Sequence, residues 1–187
     1  MNTIQFIADC LEQTHIRLMA TCEGLTAEQM AWRPAPTANN IGFILWHVAR
    51  NEDSRVTGAA GQQDGFEADL WVAGRWHESF GQPVTAPDPG DRLGLRSLAI
   101  PAPETLLAYA QAVNGRTVRF LESLDDTRLD EPIGRREPRQ TVGGSLRHMI
   151  VHKNNHHGQI DYLRGLQEGD WDLPRGTGGI LRSEGEK

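Results

Sequence analysis

Apolar residues recur at helical spacing in four stretches of the chain. In the first, from Thr3 to Glu23, Ile4, Ile7, Leu11, His15, Leu18 and Cys22 fall on one face, the rhythm of an amphipathic helix. A short piece follows: Thr26-Ala-Glu-Gln29 has the capping-box pattern, and Pro34 ends it. A second long helix is predicted after Asn39-Asn40, whose side chains suit an N-cap. Ile41, Ile44, Leu45 and Val48 form its apolar face, which fades at Gly58. Pro103, a residue favoured in a first turn, opens a third helix through Leu106, Ala110, Val113, Thr117, Phe120 and Leu124. After a turn-rich segment from Asp125 to Gln140, the fourth runs from Thr141 to about Gln167.

Residues 58–100, between the second and third helices, are rich in glycine and proline, with one amphipathic piece around Asp69 to Phe80. Irregular connections of that length often carry function. No stretch sustains the period-two alternation of a strand, although strand pairing within 58–100 stays open. The pattern therefore predicts an all-α fold, an antiparallel four-helix bundle with a long irregular connection between helices 2 and 3. A chain of 187 residues suits one core, so residues 1–187 are expected to form a single domain. Residues 169–187 read as a C-terminal coil in which Trp171 and Leu173 pack.

Charge narrows the partners. The 25 acidic and 19 basic side chains leave a formal charge of −6 with no basic stripe, which argues against nucleic acid and against anionic membranes. No apolar run approaches the roughly 20 residues that span a bilayer. The N-terminal segment, with Asp9 and Glu12, lacks the basic and apolar regions of a signal peptide. Cys10 and Cys22 sit on one predicted helix, about 18 Å apart at 1.5 Å rise per residue, too far to bridge. Both read as packed core cysteines, and the expected compartment is cytoplasmic.

The chemistry gathers on the fourth helix, in Leu146-Arg-His-Met-Ile-Val-His-Lys-Asn-Asn-His-His-Gly-Gln-Ile160. His152 and His156 are four residues apart, so they share a face with Cβ atoms about 5–6 Å apart and can converge on one ion, as in helical HxxxH zinc sites. Met149, Ile160 and Leu163 lie within about 40° of His156 at 100° per residue, which places the pair on the stripe expected to face inward. His148 falls at the edge of that stripe and His157 about 100° away, so both read as surface or peripheral residues. A third ligand must come from another helix. His47 on the second helix, His15 on the first and His77 in the irregular segment all qualify.

Three segments together resemble a known family: Gly24-Leu-Thr-Ala-Glu-Gln-Met-Ala-Trp-Arg-Pro34, then Ala38-Asn-Asn-Ile-Gly-Phe-Ile-Leu-Trp-His-Val-Ala-Arg50, then Val151-His-Lys-Asn-Asn-His-His-Gly-Gln-Ile160. In order and place they are similar to the DinB-like superfamily, which includes damage-inducible DinB proteins and thiol-dependent S-transferases. The resemblance implies a four-helix bundle with a long connection after the second helix. It also implies a three-histidine metal site made by His47, His152 and His156. Where members of the family often carry a further histidine just before the last ligand, this chain has Asn155.

Three neutral imidazoles leave a coordination position open, the arrangement of a catalytic ion. Zinc is the default, with nickel, iron(II) and manganese chemically compatible. The expected function is transfer of a low-molecular-weight thiol to an electrophilic small molecule; a metal-dependent hydrolase and a non-catalytic metal-binding stress protein use the same site. Glu52, inward of His47, is the strongest of the carboxylates Glu52, Glu78 and Asp161 for orienting a ligand or moving a proton. Arg175 is placed to clamp an anion if the tail folds over the site, and Trp46, Trp71 and Trp76 are expected near the mouth of the bundle. Exposed apolar bundle faces and the resemblance to dimer-forming relatives point to a homodimer.

Overall fold

A computed structural model describes residues 1–61, 63–134 and 140–173. The long helices are α1 (Thr3–Cys22), α3 (Ile41–Ala60), α7 (Pro103–Glu122) and α8 (Val142–Glu168), with short helices α2 (Ala27–Ala31), α4 (Leu70–Ala73), α5 (Trp76–Ser79) and α6 (Arg92–Arg96) between them. A 3-10 turn at Asp126–Asp130 leads to a two-residue antiparallel pair, β1 (Pro132–Ile133) with β2 (Gln140–Thr141). That pair lies in the turn-rich segment before α8, and the described residues of 58–100 contain no strand. The predicted helix starts are realised. Thr26 and Gln29 cap each other reciprocally, Asn40 accepts from the Phe43 amide, and Pro103 occupies the first turn of α7.

Packing contacts order the long helices in a ring: α1, α8, α3, α7. Ile4 shares a cluster with Val142 and Leu146 at one end, and Cys22 with Ile160 and Leu163 at the other, so α1 and α8 run parallel. Gly42 faces Leu106 while Glu52 meets Thr117, so α3 and α7 are parallel too. The antiparallel packing expected throughout the bundle holds for α1–α7, through His15–Gln111 and Asn114–Glu12, and for α3–α8. The long connection produces this pattern by returning the chain beside α3: Phe66 meets Phe120, Trp71 reaches Asp53, and Ile100 comes back to Gly42. A Cβ at Gly42 would lie 2.5 Å from Ile100 Cγ2, so this close approach requires glycine. An added Cβ at Gly143 would lie 3.1 Å from the Leu129 carbonyl oxygen, a tight contact that would require a small shift of α8 against Leu129.

Two adjacent carboxylates on α3 face opposite ways. Asp53, fully buried, accepts from the amides of Leu70 and Trp71, from Tyr109 Oη at 2.9 Å and from Arg116 at 3.0 Å. Glu52 accepts from Thr117 Oγ1 at 2.7 Å and lies 2.8 Å from the buried Lys153 ammonium, at ion-pair distance but without hydrogen-bond alignment. Trp171 packs back on α8 as expected, its indole donating to Asp161 at 2.9 Å and its ring under Arg164 at 3.5 Å. Arg175 lies outside the described residues. No helix of the described residues is long and apolar enough to cross a membrane.

Removing one partner of a buried ion pair strands the other charge, at a cost of about 3–5 kcal/mol. Asp53→Ala is expected to lose stability in that range by urea unfolding, because Arg116, Tyr109 and two amides all lose their acceptor. Asp53→Asn should lose less.

A candidate three-histidine centre

His47 comes from α3, and His152 and His156 from antiparallel α8. Among the described residues these three bring their ligand nitrogens within 4.8 Å of one another. His47 Nε2 and His152 Nε2 are 3.1 Å apart, and the ring centroids stand 4.9 Å (His47–His152), 5.0 Å (His47–His156) and 4.4 Å (His152–His156) from each other. Two nitrogens bound tetrahedrally at about 2.0–2.1 Å from one zinc are themselves about 3.3 Å apart, a spacing the His47–His152 pair matches, with a His156 nitrogen within 4.8 Å of both. All three rings are half-buried, which leaves the centre an approach from solvent.

Neighbours on each helix hold the rings. Phe43, one turn before His47, stacks on it with centroids 6.2 Å apart and planes 6° from parallel. His148 stacks on His152 at 5.2 Å. Gln159 Oε1 lies 2.8 Å from His156 Nδ1; with the amide oxygen accepting, Nδ1 carries the proton and Nε2 keeps its lone pair. Burial, and secondly the charge of His156, pushes His47 down to about 4. Burial, then the neighbouring histidines and Arg55, pushes His152 down to about 3. Both are neutral at pH 7, the form in which imidazole binds a metal.

The other sequence candidates go elsewhere. His15 is buried against α7, with Nε2 3.0 Å from Gln111 Oε1, and takes no part in the cluster. His77, on α5, stands edge-on to Trp71. His157, expected at the periphery, is a core residue 4% exposed, 2.9 Å from Thr21 Oγ1. The reason is that α8 is covered by α1 as well as by α3. The centre of its buried stripe is Met149, Lys153 and Ile160, and His152 and His156 lie on the shoulder toward α3. Glu52 has Thr117 and Lys153 as partners instead of a histidine. Glu78 pairs with Arg75 on the surface. Trp46 and Trp71 are buried in the core and do not line a mouth. Cys22 is buried as expected, whereas Cys10 is half-buried. Sequence reasoning passed over Phe43 and Gln159, although each stands one helical turn from a histidine it orients.

A crystal structure of a conserved protein from Enterococcus faecalis is similar with a TM-score of 0.78 at 23% identity, covering 91% of this chain and 99% of that one. A likeness at that identity establishes the fold alone. No curated protein matches. A family model described as the DinB superfamily matches residues 11–160.

The depressed histidines carry a pH signature in the metal-free protein. Below the unfolded value of about 6.5 the unfolded chain binds protons that folded His47 and His152 refuse, so stability falls as pH drops from about 6.5 toward 5. Urea midpoints of chelator-treated protein should decline over that window, and a His47→Asn/His152→Asn double variant should flatten the decline. An unchanged slope would show that these two rings do not cause it.

Proposed function

The chain belongs to the DinB superfamily, and from that premise we propose that it is a metal-dependent transferase joining a low-molecular-weight thiol to an electrophilic small molecule. The observation that carries this reading is the convergence of three imidazole nitrogens, from His47, His152 and His156, at a half-buried position. One divalent ion fits there, zinc by default, with nickel, iron(II) and manganese compatible with an imidazole set. When bound, the ion supplies a Lewis acid that brings a thiol, with an ordinary pKa near 8.5, to its thiolate at neutral pH.

The protein's own groups have defined tasks on this reading. His47 and His152 stay unprotonated because they are buried. Gln159 fixes the face that His156 offers, and Phe43 holds the plane of His47. Both cysteines lie on α1 and take no part in the three-histidine cluster. Burial pushes Cys22 up to about 12, and the thiol of Cys10 is raised by burial and by Asp9. On this reading the reacting sulfur arrives with a small molecule.

Protein purified without chelator is expected to carry about one divalent ion per chain by elemental analysis. His47→Ala, His152→Ala or His156→Ala should empty the site, while His15→Ala and His77→Ala keep it full. Metal-loaded protein mixed with bacillithiol, mycothiol, glutathione, cysteine or coenzyme A and a fluorogenic bimane should conjugate at least one thiol above background, and His152→Ala should not. Metal-dependent hydrolysis of an ester or amide, without any thiol conjugation, would replace the transferase reading by a hydrolase.

A further inference from the structure

The facing surfaces of α3 and α8 remain polar beyond the three histidines. One turn past His47, α3 presents Asn51 and then Arg55; opposite them, α8 presents His148 and then Ser145. This strip ends in an open cavity of about 270 Å³ between Arg55, Gly58 and Ser145, bordered on its far side by Ile133 and Gln140 of the β1–β2 pair. The cavity thus begins at Asn51, one helical turn from His47, and Arg55 and Ser145 lie about two turns from the histidines of their own helices.

Three features mark it as a ligand site and not a packing gap. Ser145 is fully buried, yet its Oγ has no hydrogen-bond partner, and it lines the cavity. His148 Nε2, on the ring stacked against His152, is likewise buried without a partner. Buried polar groups are nearly always satisfied, so two orphans along one groove call for a molecule with acceptors or donors of its own. Arg55 is the one charged side chain lining the cavity among the described residues, and no described carboxylate pairs with it. Its Nε donates to Asn51 Oδ1 at 3.1 Å, which folds the guanidinium back along α3 toward the histidines. Its positive charge is felt at both His148 and His152.

We propose that this cavity binds the carboxylate end of the small molecule whose reacting end lies at the three-histidine centre, with Arg55 as the anion's partner and Ser145 as a hydroxyl donor. The assignment rests on the metal-centre reading for the position of the reacting end. A guanidinium presents paired N–H groups that match a carboxylate. Among the described lining residues one cation with one hydroxyl matches a monoanion such as a carboxylate. In a chain of net charge −6, a cavity lined by Arg55 also distinguishes anions from neutral molecules locally.

The test uses cobalt(II)-loaded protein, whose visible spectrum reports sulfur binding, titrated with mercaptoacetate, 3-mercaptopropionate and 6-mercaptohexanoate and with the amide of each. At least one acid should bind about tenfold more tightly than its amide, the scale of one charge-assisted hydrogen-bonded contact. Arg55→Gln should erase that preference while leaving the affinity for the amide unchanged. Gly58→Leu should weaken acid binding without releasing cobalt, because a Cβ at Gly58 meets nothing within 4 Å and the larger side chain is free to enter the cavity. Acids and amides binding alike, or a preference that survives Arg55→Gln, would overturn the proposal and leave the thiol reading intact. If no thiol alters the cobalt spectrum, it is the transferase reading that fails. Calorimetry of metal-free protein with glutarate then decides the cavity: Arg55-dependent binding supports it and no binding overturns it.

Discussion

The carboxylate of Asp53 has no contact with solvent and accepts hydrogen bonds from the start of α4, from Tyr109 and from Arg116. It therefore ties the helix that carries His47 to the long connection and to α7 at once. A charge buried this deeply persists only when its oxygens are fully engaged, so the position of α3 is fixed to within the tolerance of those bonds. Its neighbour Glu52 reaches the other way and meets Lys153 on α8, the residue next to His152. Between them the two carboxylates set the register of α3 against both α7 and α8. The three histidines converge because that register brings His47 level with the gap between His152 and His156.

The same register explains why four residues between His152 and His157 on α8 have such different fates. Lys153 points to the bundle centre, His157 is buried under α1, and His152 and His156 sit on the shoulder toward α3. A helix covered on two sides buries a wide stripe, and its margins stay within reach of solvent. A substrate-binding centre needs the margin, because a ring at the middle of the stripe would have no approach. Lys153 at the middle, paired with Glu52, leaves the margin to the imidazoles.

Much of this was legible in the sequence, and the reasons differ by element. The long helices announced themselves through periodicity, Asn40 and Pro103 through the chemistry of helix starts, and the i, i+4 pair His152–His156 through spacing. His47 could not be separated from His15 by periodicity, since both lie on or beside an apolar face; resemblance to a family separated them, and the structure brings His47 to the pair. The parallel course of α3 and α7 was not legible, because it depends on how residues 61–102 climb back along the bundle, and irregular chain has no period to read. The burial of His157 and Lys153 was hidden for a related reason. A hydrophobic stripe reveals one face of a helix, whereas polar residues buried in pairs give no apolar signal. Tryptophans 46 and 71 misled in the opposite sense: large aromatic residues near a motif suggest a mouth, but here they fill the core.

The energetics of the centre connect fold and chemistry. Desolvation keeps His47 and His152 neutral at neutral pH, so their rings are crowded together beside His156 with few protons to share between them. Rings held this close without a common partner gain little from one another beyond a single N–H···N contact. On the proposed reading, a divalent ion would take a lone pair from each and turn the crowding into coordination. The surrounding scaffold, through Asp53, Glu52, Phe43 and Gln159, has already met the ordering cost before any ligand arrives. Preorganisation of that kind strengthens binding by lowering what must be ordered at the moment of association. On the proposed reading it would also constrain what the centre accepts: with α3 and α8 held by buried charge, selectivity would fall to the half-buried residues between them.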